Sequence, residues 1–136
     1  MLASFTQQKL QEDIDNMRKC AHDFIVKLEY EISNATHTVM FMEELIGTDL
    51  FSSMIDKNEE GIIFFRSFSD NDRRVIFHQV ATALNHLHSR GVVHGSVTLS
   101  TIMLLSEVHF IKNKDQSNAY SNIPSNLRVK LLDYGK

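Results

Sequence analysis

The stretch 68-FSDNDRRVIFHQVATALNHLHSRGVVHGSVTLSTIMLL-105 decides the fold. Ser69, with Asp72 three residues on, resembles a capping box in which Asp replaces the stronger Glu. From it Val75, Ile76, Phe77, Val80, Ala83, Leu84 and Leu87 recur at helical spacing, over more than one narrow stripe. They predict a helix running to about Ser89, and Gly91 is placed to end it in the left-handed conformation. Beyond it come an apolar pair, His94, a run of small and polar residues, and a short apolar strand from Ile102 to Leu105. A loop of this shape, between a helix and a strand, is where a site would sit.

Upstream, Leu10, Ile14, Met17 and Ala21 predict a helix over about residues 4–21. Val26, Leu28, Tyr30 and Ile32 alternate with Lys27, Glu29 and Glu31, the period of a half-buried strand. After the turn chemistry of Ser33–Thr36, 38-TVMFM-42 reads as a second strand, apolar enough to be covered on both faces. Gly47 breaks the pattern, and Thr48 is a candidate cap for a short helix carrying Leu50, Phe51, Met54 and Ile55. Residues 56–68 read as an irregular connection with an apolar patch, Ile62 to Phe65. Downstream, Ser106–Asn126 is a polar hairpin tip, and 127-LRVKLL-132 is the last strand.

With 136 residues the chain is long enough for one domain, able to bury roughly two-thirds of the surface its unfolded form exposes. A net charge of −3 with scattered Lys and Arg offers no basic stripe, so nucleic acid is not an expected partner. No apolar run reaches membrane length and the N-terminus shows no signal pattern, so no membrane partner is expected. The single Cys20 fits a reducing compartment, and the expected location is cytoplasmic.

Taken in order, these segments resemble the middle of a protein kinase catalytic domain, of the Ser/Thr type and similar in wording to the AGC or calmodulin-dependent groups. The run 22-HDFIVKLEYEI-32 looks like the segment leading from the small-lobe helix into the fourth kinase strand, and 39-VMFMEELIGTDLF-51 like the fifth strand and hinge. The run 68–94 is similar to the helix and loop entry that precede catalysis, and 127-LRVKLLDYG-135 to the strand ending in D-F-G. The resemblance implies an α+β, partial protein-kinase-like fold, with residues 1–45 as the remnant of the small lobe and 46–136 as the start of the large lobe. The strands of the glycine-rich loop and the C-terminal helices would lie outside it.

The resemblance also assigns positions. His94 matches the histidine of H-R-D-L-x-x-x-N, with Gly95 for its arginine and Ser96 for its aspartate. Thr98 stands for the lysine that contacts the transferring phosphate, and Thr101 for the magnesium-binding asparagine. Serine is a poor proton acceptor beside a carboxylate, and phosphoryl transfer depends on such positioning and charge. The expectation is therefore a degenerate site, a pseudokinase that is not an enzyme and works as a protein-interaction or scaffold module. Met42 would be the gatekeeper, Glu43 and Leu45 the adenine-facing hinge, Met103 the pocket floor, Asp49 a neighbour of the ribose and Asp133 a weak magnesium ligand. Asp13 falls at the position of the paired small-lobe glutamate, and Met17, Leu28, His94 and Tyr134 at those of the spine joining the lobes.

No cofactor is expected on this reading; its alternatives are ATP with magnesium held at low affinity, or a fragment of a longer kinase-family chain in phosphorylation signalling. The expected partner is another protein or a second copy, docked on the 69–89 helix face that the missing large lobe would cover. His86, His88 and His94 do not form a metal set, because positions two apart on a helix do not face one another. A His94–Ser96 nucleophile pair lacks an orienting acid, and Cys20 reads as a packed, inert thiol.

Overall fold

The computed structural model describes residues 2–34, 36–65, 68–105 and 127–132. The expectations placed on the 106–126 hairpin tip, Asp133, Tyr134 and Gly135 lie outside the described residues.

The first helix, α1 (Leu2–Lys19), buries Ile14 fully and turns Leu10 and Met17 partly inward. It ends two residues before Ala21 because the next turn finds a different partner. The Phe24 N–H bonds to His22 Nδ1 at 3.1 Å, which pulls the chain out of the helix. Residues 24–26 then run parallel to the last described strand, β7 (Val129–Leu131). Val26 N–H donates to Leu131 C=O and Leu131 N–H to Phe24 C=O, each at 2.9 Å.

Strands β1 (Leu28–Ser33) and β2 (Thr38–Met42) form an antiparallel hairpin around Asn34, whose Oδ1 accepts from the Thr36 and His37 amides at 2.9 and 2.8 Å. The register pairs Leu28 with Met42 but Tyr30 with Phe41, so β1 carries one extra residue, Glu29. Such a bulge inverts the alternation, since a one-residue slip moves every later side chain to the other face. Leu28 is buried, while Tyr30 (55% exposed) and Ile32 lie open with Val39 and Phe41. This corrects two expectations: β1 does not bury Tyr30 and Ile32, and β2 is not covered on both faces. The Tyr30 and Phe41 rings stack on each other at 4.2 Å instead. Arg18 of α1 meets Glu31 of β1 at 3.3 Å.

The chain then crosses to a three-stranded sheet ordered β3 (Thr48–Asp49), β6 (Ile102–Leu104), β7, antiparallel throughout. Gly47 makes the crossing possible: a Cβ there would lie 2.0 Å from the Leu104 carbonyl oxygen, closer than any side chain is tolerated. Helix α2 (Leu50–Met54) is capped by Asp49 rather than by Thr48. An aspartate at the cap reaches the N–H groups of the first turn directly. Residues 56–68 are not irregular throughout. Strands β4 (Ile55–Lys57) and β5 (Ile63–Phe65) form a hairpin whose turn is held by Asn58 Oδ1, accepting from Ile62 N–H at 2.7 Å and Glu60 N–H at 3.1 Å. The Ile62–Phe65 patch is exposed along its whole length.

The long helix α3 (Asp70–His88) starts at Ser69 as the capping signal predicts, with Ser69 Oγ accepting from Asp72 N–H at 3.1 Å. Its buried face is narrower than the sequence suggests. Ile76, Ala83 and Leu87 are buried, Val75, Val80 and Leu84 half-buried, and Phe77 is 76% exposed. Strand β7 packs against this stripe. Gln79, polar within an apolar pattern, is buried there; its Nε2–H donates to Leu127 C=O and its Oε1 accepts from Val129 N–H, both at 2.8 Å. It acts as a one-residue strand on the edge of β7, bonding one carbonyl and one amide of that edge. Cys20, Ile25, Leu87, Leu104, Val129 and Leu131 meet in one core.

Candidate functional site

Two elements carry the candidate site residues: the hinge from Met42 to Gly47, and the loop from His94 to Thr101. The hinge leaves β2 at Met42, which is half-buried. Glu43 N–H donates to Lys27 C=O at 2.9 Å, and Glu43 Oε1 accepts from Lys27 N–H at 2.7 Å. The same oxygen pairs with Lys130 Nζ of β7. Side chains here are 14% exposed for Lys130 and 23% for Glu43, so water screens this pair far less than a surface ion pair. Beyond this anchor, Glu43 C=O and Leu45 N–H make no hydrogen bond to any described residue. An acceptor and a donor are thus left on adjoining hinge peptides.

Met103 lies opposite Asp49 where β3 meets β6, and is half-buried. The Asp49 carboxylate is engaged by its helix: Oδ1 accepts from Ser52 N–H at 2.9 Å and Oδ2 from Ser52 Oγ–H at 2.5 Å. The Ser52 hydroxyl, then its backbone N–H, holds the Asp49 carboxyl below the usual carboxylate range. The resemblance sets Asp49 beside a ribose; the structure shows its oxygens committed to the cap of α2.

In the loop, His94 is buried and its Nδ1 accepts from Ser96 N–H at 3.2 Å, closing a tight turn. Gly95 between them has φ 79°, a left-handed conformation in which an L side chain is strained. Thr101, also buried, braces the rest. Its Oγ1 accepts from Thr98 N–H at 2.9 Å and lies 2.9 Å from Ser96 C=O and 3.1 Å from Thr98 C=O, its one proton serving one of those carbonyls at a time. Ser96 and Thr98 are thereby brought together with Thr101. Asp133, the remaining implied metal position, lies outside the described residues, as does Tyr134 of the spine. Of the other spine positions, Leu28 and His94 are buried and Met17 is half-buried against the core. Asp13 is half-buried on α1.

A second polar cluster joins the end of α1 to the end of α3. Arg90 Nε–H donates to Lys19 C=O at 3.0 Å, and Arg90 Nη1–H to His86 Nδ1 at 3.2 Å. His22 and His86 sit with ring centroids 4.5 Å apart. Burial first, then Arg90 and His22, pushes the His86 imidazole below its ordinary pKa, against a weaker opposing bond from Ala21. Cys20 is fully buried beside this junction; burial raises its thiol pKa, with Arg90 and Lys19 opposing, which supports a packed and unreactive role. Among the described residues no group of three His, Cys, Asp or Glu side chains is placed to hold a metal. Nor is any helix there long and apolar enough to cross a membrane.

Sequence reasoning missed Gln79 and Lys130. The signal for Gln79 was present, as a lone polar residue inside an apolar stripe. Lys130 carried none, because its partner lies 87 positions away.

The chain matches the protein kinase domain over residues 3–136 and belongs to that family. A probable myosin light chain kinase of Dictyostelium discoideum is 27% identical over 133 residues, covering 97% of this chain and 34% of the relative. Another from the same organism is 26% identical over 87 residues, or 64% of this chain and 23% of the relative. A serine/threonine-protein kinase of Drosophila melanogaster is 24% identical over 119 residues, 88% of this chain and 13% of that one. The chain thus spans between 13% and 34% of the length of these curated relatives. Among solved structures, the PknI kinase domain of Mycobacterium tuberculosis superposes with a TM-score of 0.66 at 19% identity, over 95% of this chain and 42% of that domain. That likeness shows a partial kinase fold of mixed α and β structure.

These relatives correct one expectation outright. Reading the chain as not an enzyme rested largely on substitutions in one loop and on motifs outside the sequence; the relatives are named as kinases, and the family is an enzyme family. Kinase domains use ATP with magnesium. The residues present fit one half of that pair. The free acceptor and donor at Glu43 and Leu45 suit an adenine edge, whereas Thr101 Oγ1 is occupied within the loop by Thr98 and Ser96.

Proposed function

We propose that this chain forms the lobe-joining part of a Ser/Thr-type kinase-family protein in phosphorylation signalling, and that its hinge receives the adenine of a nucleotide. The observation that carries the reading is the hinge itself, with Glu43 C=O and Leu45 N–H open while Glu43 is anchored on three sides. Adenine presents a donor and an acceptor side by side, so two backbone groups in line recognise it without any side chain. The chain's own residues would bind and orient the base: Met103 gives the apolar floor, Met42 stands at the gatekeeper position, and Leu45 N–H fixes the ring edge.

The test is calorimetric titration of the 136-residue chain with ATP, with and without magnesium, and with adenosine as a phosphate-free control. Saturable binding shared by adenosine supports an adenine hinge. Heat with ATP and none with adenosine would refute it, because affinity would then come from the phosphates.

A second reading, a protein-interaction role, is favoured by where the exposed apolar side chains gather. Two clusters lie on the open face of β1–β2 (Tyr30, Ile32, Val39, Phe41) and on Ile62–Phe65, while the 69–89 helix exposes Phe77 alone among its large apolar side chains. Patches of this kind mark docking surfaces. A protein partner or a second copy would protect Tyr30 and Phe41 from solvent, whereas unchanged tyrosine fluorescence across protein concentrations, in a chain carrying Tyr120→Phe and Tyr134→Phe so that Tyr30 alone emits, would exclude self-association through that face.

A further inference from the structure

The anchor of the hinge is supplied from a distance. Lys130 lies on β7, in the sheet with β3 and β6, while Glu43 begins the hinge and Lys27 precedes β1. The three meet at one atom, Glu43 Oε1, which accepts from Lys27 N–H at 2.7 Å and pairs with Lys130 Nζ. The return bond, Glu43 N–H to Lys27 C=O at 2.9 Å, makes Glu43 a bracket around the Lys27 peptide. Beside it, Val26 and Leu131 are already paired through backbone groups. The Lys27 backbone joins that ladder to Glu43, and the Lys130 side chain adds a charged tie from β7 to the same residue, whose carbonyl is free.

We infer that Lys130 is a positioning residue for the hinge: its ammonium holds the Glu43 carboxylate, and through it sets where Glu43 C=O and Leu45 N–H stand relative to Met103. Lys130 need not touch a ligand. Its charge is required rather than its length, because an unpaired carboxylate in this half-closed place draws water or swings outward. Either movement breaks the bracket on Lys27. The nucleotide consequence rests on the adenine reading given above; the placement of the hinge does not.

The experiment uses the full 136-residue chain in four forms: unsubstituted, Lys130→Met, Glu43→Gln, and both together. Amide hydrogen exchange is read at Lys27 and Glu43, with Leu105 and Val92, bonded to Arg128 and Leu87, as internal controls. In Lys130→Met, exchange at Lys27 and Glu43 is expected to quicken at least about tenfold relative to the controls, the size of effect that loss of a charge-assisted bond gives. The double variant, with no orphaned charge, is expected to return much of that loss. The ATP dissociation constant is expected to rise in Lys130→Met by a similar factor and recover with it. Equal acceleration at hinge and control amides would overturn the inference, since that is general destabilisation. Failure of the unsubstituted chain to bind ATP or adenosine would sink the adenine reading alone, and the exchange ratio would still decide Lys130.

Discussion

Replacing Gln79 is expected to do more damage than replacing most apolar residues of α3. Its amide satisfies two buried backbone groups at 2.8 Å each, Leu127 C=O and Val129 N–H. Gln79→Met keeps nearly the same volume and removes both bonds without opening a cavity. Val129 N–H, left buried without this partner, costs about 1–3 kcal/mol if no water reaches it, and loss of the bond to Leu127 C=O adds to that. Set against a whole-domain stability of about 5–15 kcal/mol, that is a severe effect from one side chain. Gln79→Glu separates the two bonds: a carboxylate still accepts from Val129 N–H but repels the Leu127 carbonyl. Burial and that carbonyl raise the introduced carboxyl group's pKa, so its deficit is smallest in mild acid, where it is protonated and donates, and grows as the pH rises through that value. Urea unfolding followed by far-ultraviolet circular dichroism measures both variants, with Gln79→Met as the pH-insensitive control. A Gln79→Met chain within about 0.5 kcal/mol of the parent would show that water serves this edge of β7, and the argument would fail.

Gly47→Ala forces a Cβ to 2.0 Å from the Leu104 carbonyl oxygen, which only separation of the hinge from β6 relieves; a cost of about 1–3 kcal/mol and a lowered melting temperature are expected, and an unchanged melt would contradict the close approach. Thr101→Val, nearly isosteric, removes the hydroxyl that braces Ser96 and Thr98, and should cost about 1–3 kcal/mol with faster amide exchange at Thr98; Thr101→Ser should restore the protection, or the bracing role is wrong. The Asp49 carboxyl is held below its ordinary value by Ser52, so its contribution is present above the unfolded carboxylate pKa and lost as pH falls through the folded one; Asp49→Asn should flatten the acid limb of the stability curve, and an unaltered limb would refute the cap. His86 has the opposite charge type. Its folded pKa is depressed, so the folded chain binds fewer protons and stability falls as pH drops below the imidazole's ordinary value of about 6.5; His86→Gln should remove that slope, as read by urea midpoints.

What the sequence determined by itself is local or ordered. Ser69 with Asp72 placed the start of α3, Gly91 its end, and the succession of helix, hairpin, hinge, helix and loop carried the family. These survive because capping, glycine conformations and periodicity act within a few residues. Tertiary structure decided the rest. The bulge at Glu29 turned Tyr30 and Ile32 outward, which no alternation pattern reveals, since a bulge changes pairing and not composition. The hairpin Ile55–Phe65 stood where only an irregular link was legible, because its strands are three residues each and too short to show a period. Gln79 on β7 and Lys130 on Glu43 join positions 48 to 87 residues apart. Their energy comes from burial and charge that exist only once the chain has closed, so sequence separation hides them.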